Sequence, residues 1–189
     1  MTRKLIGFLA LAAAMPLLQG CFPLAVTGAG AAVLMADDRR TAGTYIEDEG
    51  LEWKALARVR EVAPGSHVNP TSYNRKVLLT GETASEEDKR RIEGAVKAIT
   101  NVHEVANELQ VAGASSLASR GSDSLVTSNV KARMVNNGKF SPSHVKVLTE
   151  ANVVYLMGLV TPAEGEAAAD VARTTQGVSR VVKVFEYVS

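Results

Sequence analysis

Two stretches of the chain run the same course 77 residues apart. "VLLTGETASEEDKRRIEGAVKAITNVHEVANELQV", from Val77, and "VYLMGLVTPAEGEAAADVARTTQGVSRVVKVFEYV", from Val154, each present an apolar strand closed by a glycine, Gly81 or Gly158, then a helix, then another strand. The glycines align at an offset of 77, whereas Val102 and Val105 pair with Val178 and Val181 at 76, so the second helix is one residue shorter. A duplicated unit of this size points to two small domains, each with its own core.

Each copy reads the same way locally. Ile92, Ala95, Val96 and Ile99 recur at i, i+3, i+4 and i+7, as do Ala168, Val171, Ala172 and Thr175, which predicts two helices with one buried stripe each. Thr161, Pro162 and Glu164 supply a capping box with proline in the first turn; Thr83 with Glu86, or Ser85 with Asp88, does the same less clearly in the first copy. Upstream of each glycine lie two expected strands, 67–73 with 76–82 and 144–149 with 153–159, joined by turns in "SYNRK" and "LTEAN". Last strands are expected near 102–111 and 178–188. A helix precedes each set, marked by Leu51, Ala55, Leu56 and Val59 in the first copy and by Val126, Val130 and Met134 in the second. The order is α-β-β-α-β, twice.

Gly81 and Gly158 at strand ends, the capped helix after each, and "GVSRVV" from Gly177 together resemble the BON domain. The resemblance implies an α+β fold of two αββαβ units, each a three-stranded mixed sheet packed with two helices, with Gly81, Gly158 and Gly177 as structural glycines. It places domain one at 45–113, a linker at 114–121 and domain two at 122–189. Asn101 stands where the second copy has Gly177, which alters or strains that turn.

Ahead of the domains, Arg3 and Lys4 precede "LIGFLALAAAMPLL", the layout of a signal peptide, and no charged residue occurs from Leu5 to Ala36. "LQGC" resembles the lipobox of bacterial lipoproteins. The resemblance implies cleavage after residue 20, a covalent lipid on Cys21, acylation of the new amino terminus, and, with Phe22 rather than aspartate next, export to the outer membrane with the domains in the periplasm. Residues 1–20 are then a lipoprotein signal peptide and 21–44 the lipidated cysteine and tether. Two other readings stand beside this one: a retained transmembrane anchor, interrupted by Pro16, Gln19, Pro23, Gly28 and Gly30, and an ordinary buried cysteine. "GAGAA" at 28–32 lacks the lysine and hydroxyl residue of a phosphate loop and reads as a pliant tether. "DDRR" at 37–40 reads as a solvated break between tether and domain, with a contact to head groups or a partner as the alternative.

The whole chain has 21 basic and 20 acidic residues, and loss of the first twenty leaves a net charge of −1. Neither a basic excess nor a reader motif for nucleic acid is present. His67, His103 and His144 are the only histidines, their spacing fits no metal motif, and Cys21 has no second cysteine to help it. They read as strand-end histidines. The chain is expected not to be an enzyme and to need no cofactor beyond the lipid on Cys21.

Charge divides unevenly. Residues 45–113 carry a net −3 and 122–189 a net +1, and within 124–149 Lys131, Arg133, Lys139 and Lys146 occur without a carboxylate. With Val126, Val130 and Met134 turned inward, Leu125 and the loop residue Phe140 are left to stand exposed beside cations, the make-up of a membrane-surface site; an ordinary helix with solvated lysines fits the same residues. The family resemblance implies that a tandem lipoprotein of this type binds an anionic phospholipid membrane through the first helix of its second domain, here Leu125, Val126, Ser128, Asn129, Lys131, Ala132, Arg133, Met134, Val135 and Asn137, and supports envelope integrity and cell division. The alternative partner is an outer-membrane or periplasmic protein docked on the same surface.

Overall fold

The computed structural model describes residues 37–189. The expected signal peptide, Cys21 and most of the tether lie outside them. The elements of domain one are α1 (Ala42–Val62), β1 (His67–Tyr73), β2 (Lys76–Thr83), α2 (Glu86–Lys97), β3 (Glu104–Asn107) and β4 (Gln110–Val111). Domain two has α3 (Leu117–Val135), a 3-10 turn (Pro142–His144), β5 (Val145–Glu150), β6 (Val153–Val160), α4 (Pro162–Arg173) and β7 (Arg180–Tyr187). Helix α3 starts at Leu117, so 117–121, expected as linker, is helical. Among the described residues no helix is long and apolar enough to cross a membrane.

In each domain the middle strand pairs antiparallel with the strand before it and parallel with the strand after the second helix. The second sheet has the three strands expected. In the first, the last strand is broken: β3 and β4 both pair with β2. Leu109, between them, turns into the domain core, and the Asn107 side chain accepts from its N–H at 3.3 Å.

The helix caps fit the residues. Thr161 and Glu164 form the reciprocal box at α4, and Ser85, rather than Thr83, caps α2 by accepting from the N–H of Asp88. Both hairpins turn on two residues in the left-handed region, Asn74 and Arg75 (φ 51° and 65°) and Ala151 and Asn152 (φ 50° and 60°), the geometry that suits the twist of paired strands. A buried carboxylate from the first helix of each domain holds the turn. Asp123 accepts from the N–H of Ala151 at 2.9 Å and of Asn152 at 2.8 Å; Asp48 does so from Asn74 and Arg75, both at 2.8 Å, and also from the Ser72 hydroxyl and Arg40. The turn at Asn101 keeps the left-handed backbone of its counterpart, φ 71° against 89° at Gly177, because asparagine tolerates that region better than most side chains.

Each sheet is buried on both faces. One face meets its own helices: Val77 and Leu79 with Ile92 and Val96 in domain one, Val154 and Leu156 with Val130 and Ala168 in domain two. The other faces meet each other. Leu78 and Tyr73 pack with Tyr155, Met157 and Leu159, flanked by Val182 and Val184. Helix, sheet, sheet, helix is thus the layer order, and it explains why β2 and β6 are buried almost end to end. Polar contacts rim the seam: Lys146 to Glu52 at 2.7 Å, Asn74 to Glu186 at 2.8 Å and Asn69 to Glu150 at 2.8 Å.

The segment 37–40 is not a solvated break. Arg39 donates to both carboxylate oxygens of Glu164 at 2.7 and 2.9 Å and to the Leu159 carbonyl, while the main chain and carboxylate of Asp37 meet His144, Ser141 and Ser143. Arg40 is buried over the Tyr73 ring, 3.9 Å from its centroid, and paired with Asp38 and Asp48. A charge-dense run suggests solvent; here Asp37, Arg39 and Arg40 each find a partner on one of the two domains, and Asp38 is held by Arg40.

Candidate functional site

Helix α3 forms because Ser116 caps its start and Val126, Val130 and Met134, one turn apart, bury against the domain-two sheet. That burial fixes the opposite side outward. Leu125 is 69% and Val135 67% exposed, and Ser128, Asn129, Lys131, Ala132 and Asn136 are exposed on the same helix. Ser124 and Ser128 donate their hydroxyls back to the carbonyls of Arg120 and Ser124, which quenches the donors and leaves the face less polar than its composition suggests. Asp123, the carboxylate of this helix, is buried on the hairpin turn.

The residues expected as one surface therefore part company. Leu125, Ser128, Asn129, Lys131, Ala132 and Val135 lie outward, and Asn137 sits in the turn that follows, accepting from Lys139 N at 3.3 Å. Val126 and Met134 are core residues and cannot touch a ligand without unfolding the helix. Phe140, expected in the open, is 8% exposed and packs in the domain-two core, since the turn Pro142–His144 folds it under the end of α3. The four cations also divide. Arg133 donates to the Val171 carbonyl and to the hydroxyls of Thr175 and Thr174, closing the last turn of α4; Lys146 is held by Glu52 across the seam. Among the described residues Lys131 and Lys139 make no ion pair, and they are the two left to face a ligand.

Sequence reasoning passed over Asp48 and Asp123. Each stands three residues ahead of the buried stripe, at Leu51 or Val126, on the inward side of its helix, and a carboxylate repeated in that place in both copies was the available signal.

Glu164 links capping to the docked segment. The Arg39 hydrogen bonds, joined by those from Thr161, lower its carboxyl to about 2 against the cost of burial. Tyr73 and Tyr155 lie under the seam, and burial pushes both hydroxyls up to about 12. A cavity of about 480 Å³ between the domains is lined by His67, Asn69, Arg120 and Glu150, among others.

Comparison with known proteins agrees with this architecture. The BON domain family matches residues 53–113 and 122–189. Outer membrane lipoprotein DolP of Haemophilus influenzae is 39% identical over 173 residues, covering 90% of each chain. The 21 kDa hemolysin of Actinobacillus pleuropneumoniae is 35% identical over 158 residues, 80% of this chain and 79% of that one. Osmotically-inducible protein Y of Escherichia coli is 25% identical over 144 residues, 74% and 72%. Two sheets, two sets of helices and two glycine-closed strands converge with these matches: the chain belongs to the BON-domain family, as a tandem member closely related to DolP-type outer-membrane lipoproteins.

Proposed function

We propose that this is a lipoprotein anchored in the outer membrane through Cys21, with both domains in the periplasm, and that its second BON domain binds anionic phospholipid through the outward side of α3 in support of envelope integrity, including at sites of division. The observation that carries the reading is the exposure of Leu125 and Val135 with Lys131 on a helix face without an outward carboxylate, and of Lys139 in the loop that follows the helix. Each lysine near an anionic surface contributes on the order of 1 kcal/mol, and the two apolar side chains add a part that salt does not screen. The likeness to a named outer membrane lipoprotein supports the location. The outward side of α1 differs in carrying the exposed carboxylates Glu49 and Glu61 alongside Lys54 and Arg60.

The test is vesicle co-sedimentation of the two-domain chain lacking the lipid anchor. Binding to phosphatidylglycerol-containing vesicles and not to phosphatidylcholine vesicles is expected. Lys131→Glu with Lys139→Glu should weaken it about tenfold or more at low salt, and Leu125→Ser should weaken it at low and high salt alike. Binding indifferent to head-group charge would refute the lipid reading. Arg133→Glu is unsuitable because it also strips the end of α4.

One observation favours a protein-docking role as well. Trp53 is 72% exposed on α1 with Ile46 on the same helix, in the acidic domain, and exposed tryptophan is a common anchor of protein interfaces. Loss of an envelope phenotype in Trp53→Ala with vesicle binding intact would assign that face to a protein partner.

A further inference from the structure

His67 at the head of β1, Glu82 near the end of β2 and Glu150 at the end of β5 bring one imidazole nitrogen and two carboxylate oxygens within 4.8 Å of one another. Two of these groups belong to domain one and the third to domain two, so the cluster lies across the seam. The Glu82 side chain is only 8% exposed. His67 Nδ1, at 2.8 Å, and the Ser115 N–H, at 3.2 Å, both address its Oε2, and among the described residues its Oε1 has no hydrogen-bond partner. Glu150 is aimed by Asn69, whose amide donates to it at 2.8 Å.

Two carboxylates whose oxygens lie within 4.8 Å of each other at the seam repel, and a cation between them relieves that repulsion. One imidazole and two carboxylates form a donor set for a borderline divalent ion, with bonds of about 2.0–2.2 Å. Asn69 on Glu150 and Ser115 on Glu82 are the outer partners that orient such ligands. The cleft lined by His67, Asn69 and Glu150 gives a route from solvent. The neighbouring cations are already engaged: Arg120 donates to the hydroxyl and carbonyl of Ser115, and Arg180 lies 4.0 Å from Glu108.

We propose that His67, Glu82 and Glu150 form a divalent-metal site, best suited to zinc, that staples the two BON domains together across their seam. Binding leaves the ring proton of His67 on Nε2 and frees Nδ1, which otherwise faces Glu82 at 2.8 Å, as a ligand.

The experiment uses the full chain in detergent, stripped with chelator and dialysed against ZnCl₂ or CaCl₂, with bound metal and thermal unfolding both measured. About one zinc per chain is expected, with Tm rising by about 5–10 °C at a hundredfold excess over Kd, and no such effect of calcium. Glu150→Gln and His67→Asn should each weaken zinc binding at least tenfold, on the scale of a lost ligand, whereas His103→Asn, outside the cluster, should leave it unchanged. Absence of bound zinc, or zinc uptake and a Tm rise that survive Glu150→Gln, overturns the proposal. So does a Glu150→Gln chain that reaches the zinc-bound Tm without metal, because a shared proton would then account for the paired carboxylates.

Discussion

A side chain at Gly81 would place its β-carbon 2.1 Å from the carbonyl oxygen of His67, and one at Gly158 would meet the carbonyl oxygen of His144 at 2.3 Å. Both glycines therefore let the first strand of a hairpin cross close over the second. That requirement was legible from their matching places at the ends of apolar strands. Their ranking was not, because it depends on backbone angle: Gly81 sits at φ +108°, whereas Gly158 lies outside the left-handed region. Gly81→Ala should accordingly cost about 1–2 kcal/mol more than Gly158→Ala, read as the lower urea midpoint of the two variants. Equal midpoints would show that the carbonyl clash alone decides. Asp48 and Asp123 escaped notice for the opposite reason, since a carboxylate looks like surface until the amides it must satisfy have been located.

The helices and hairpins follow from periodicity, caps and turns, which act over a few residues. What distinguishes α3 from α1 is also local, namely the absence of outward carboxylates. The break between β3 and β4 depends instead on a single residue, Leu109, being drawn into the core. At α4 the element's start is tied to a distant residue. Arg39 grips the carboxylate that completes the capping box, and the Glu164 carboxyl falls from 4.5 to about 2. A carboxyl lowered on folding adds stability that is complete above about pH 4.5 and is lost as pH falls toward 2. Glu164→Gln should therefore lower Tm at pH 6 and fall less than the parent chain between pH 4.5 and 2.5. Parallel curves through that window would mean that the ion pair contributes nothing to the folded state.

The whole molecule is held by a surface that neither copy reveals alone. Alternation along β2 and β6 marks one face for the helices, and the remaining apolar residues, Leu78, Tyr155, Met157 and Leu159, have nowhere to go within a single domain. Sequence could register that surplus without saying what covered it, because sheet-on-sheet packing couples residues nearly 80 positions apart. Burying a side chain of this size stabilises by about 1.5–3 kcal/mol, so the seam makes each domain a structural support of the other. An isolated second domain would expose Tyr155 and Met157 and stick to vesicles through the wrong face, which is why lipid binding belongs to the two-domain chain. Leu78→Asp places a charge opposite that face without touching the helix-side core. The parent chain should unfold in one transition; the variant should lose several degrees and separate into two, with domain-two residues showing faster amide exchange along β6. A variant that keeps a single transition and unchanged exchange along β6 would mean that the sheets do not stabilise one another, and each domain would then stand on its own core.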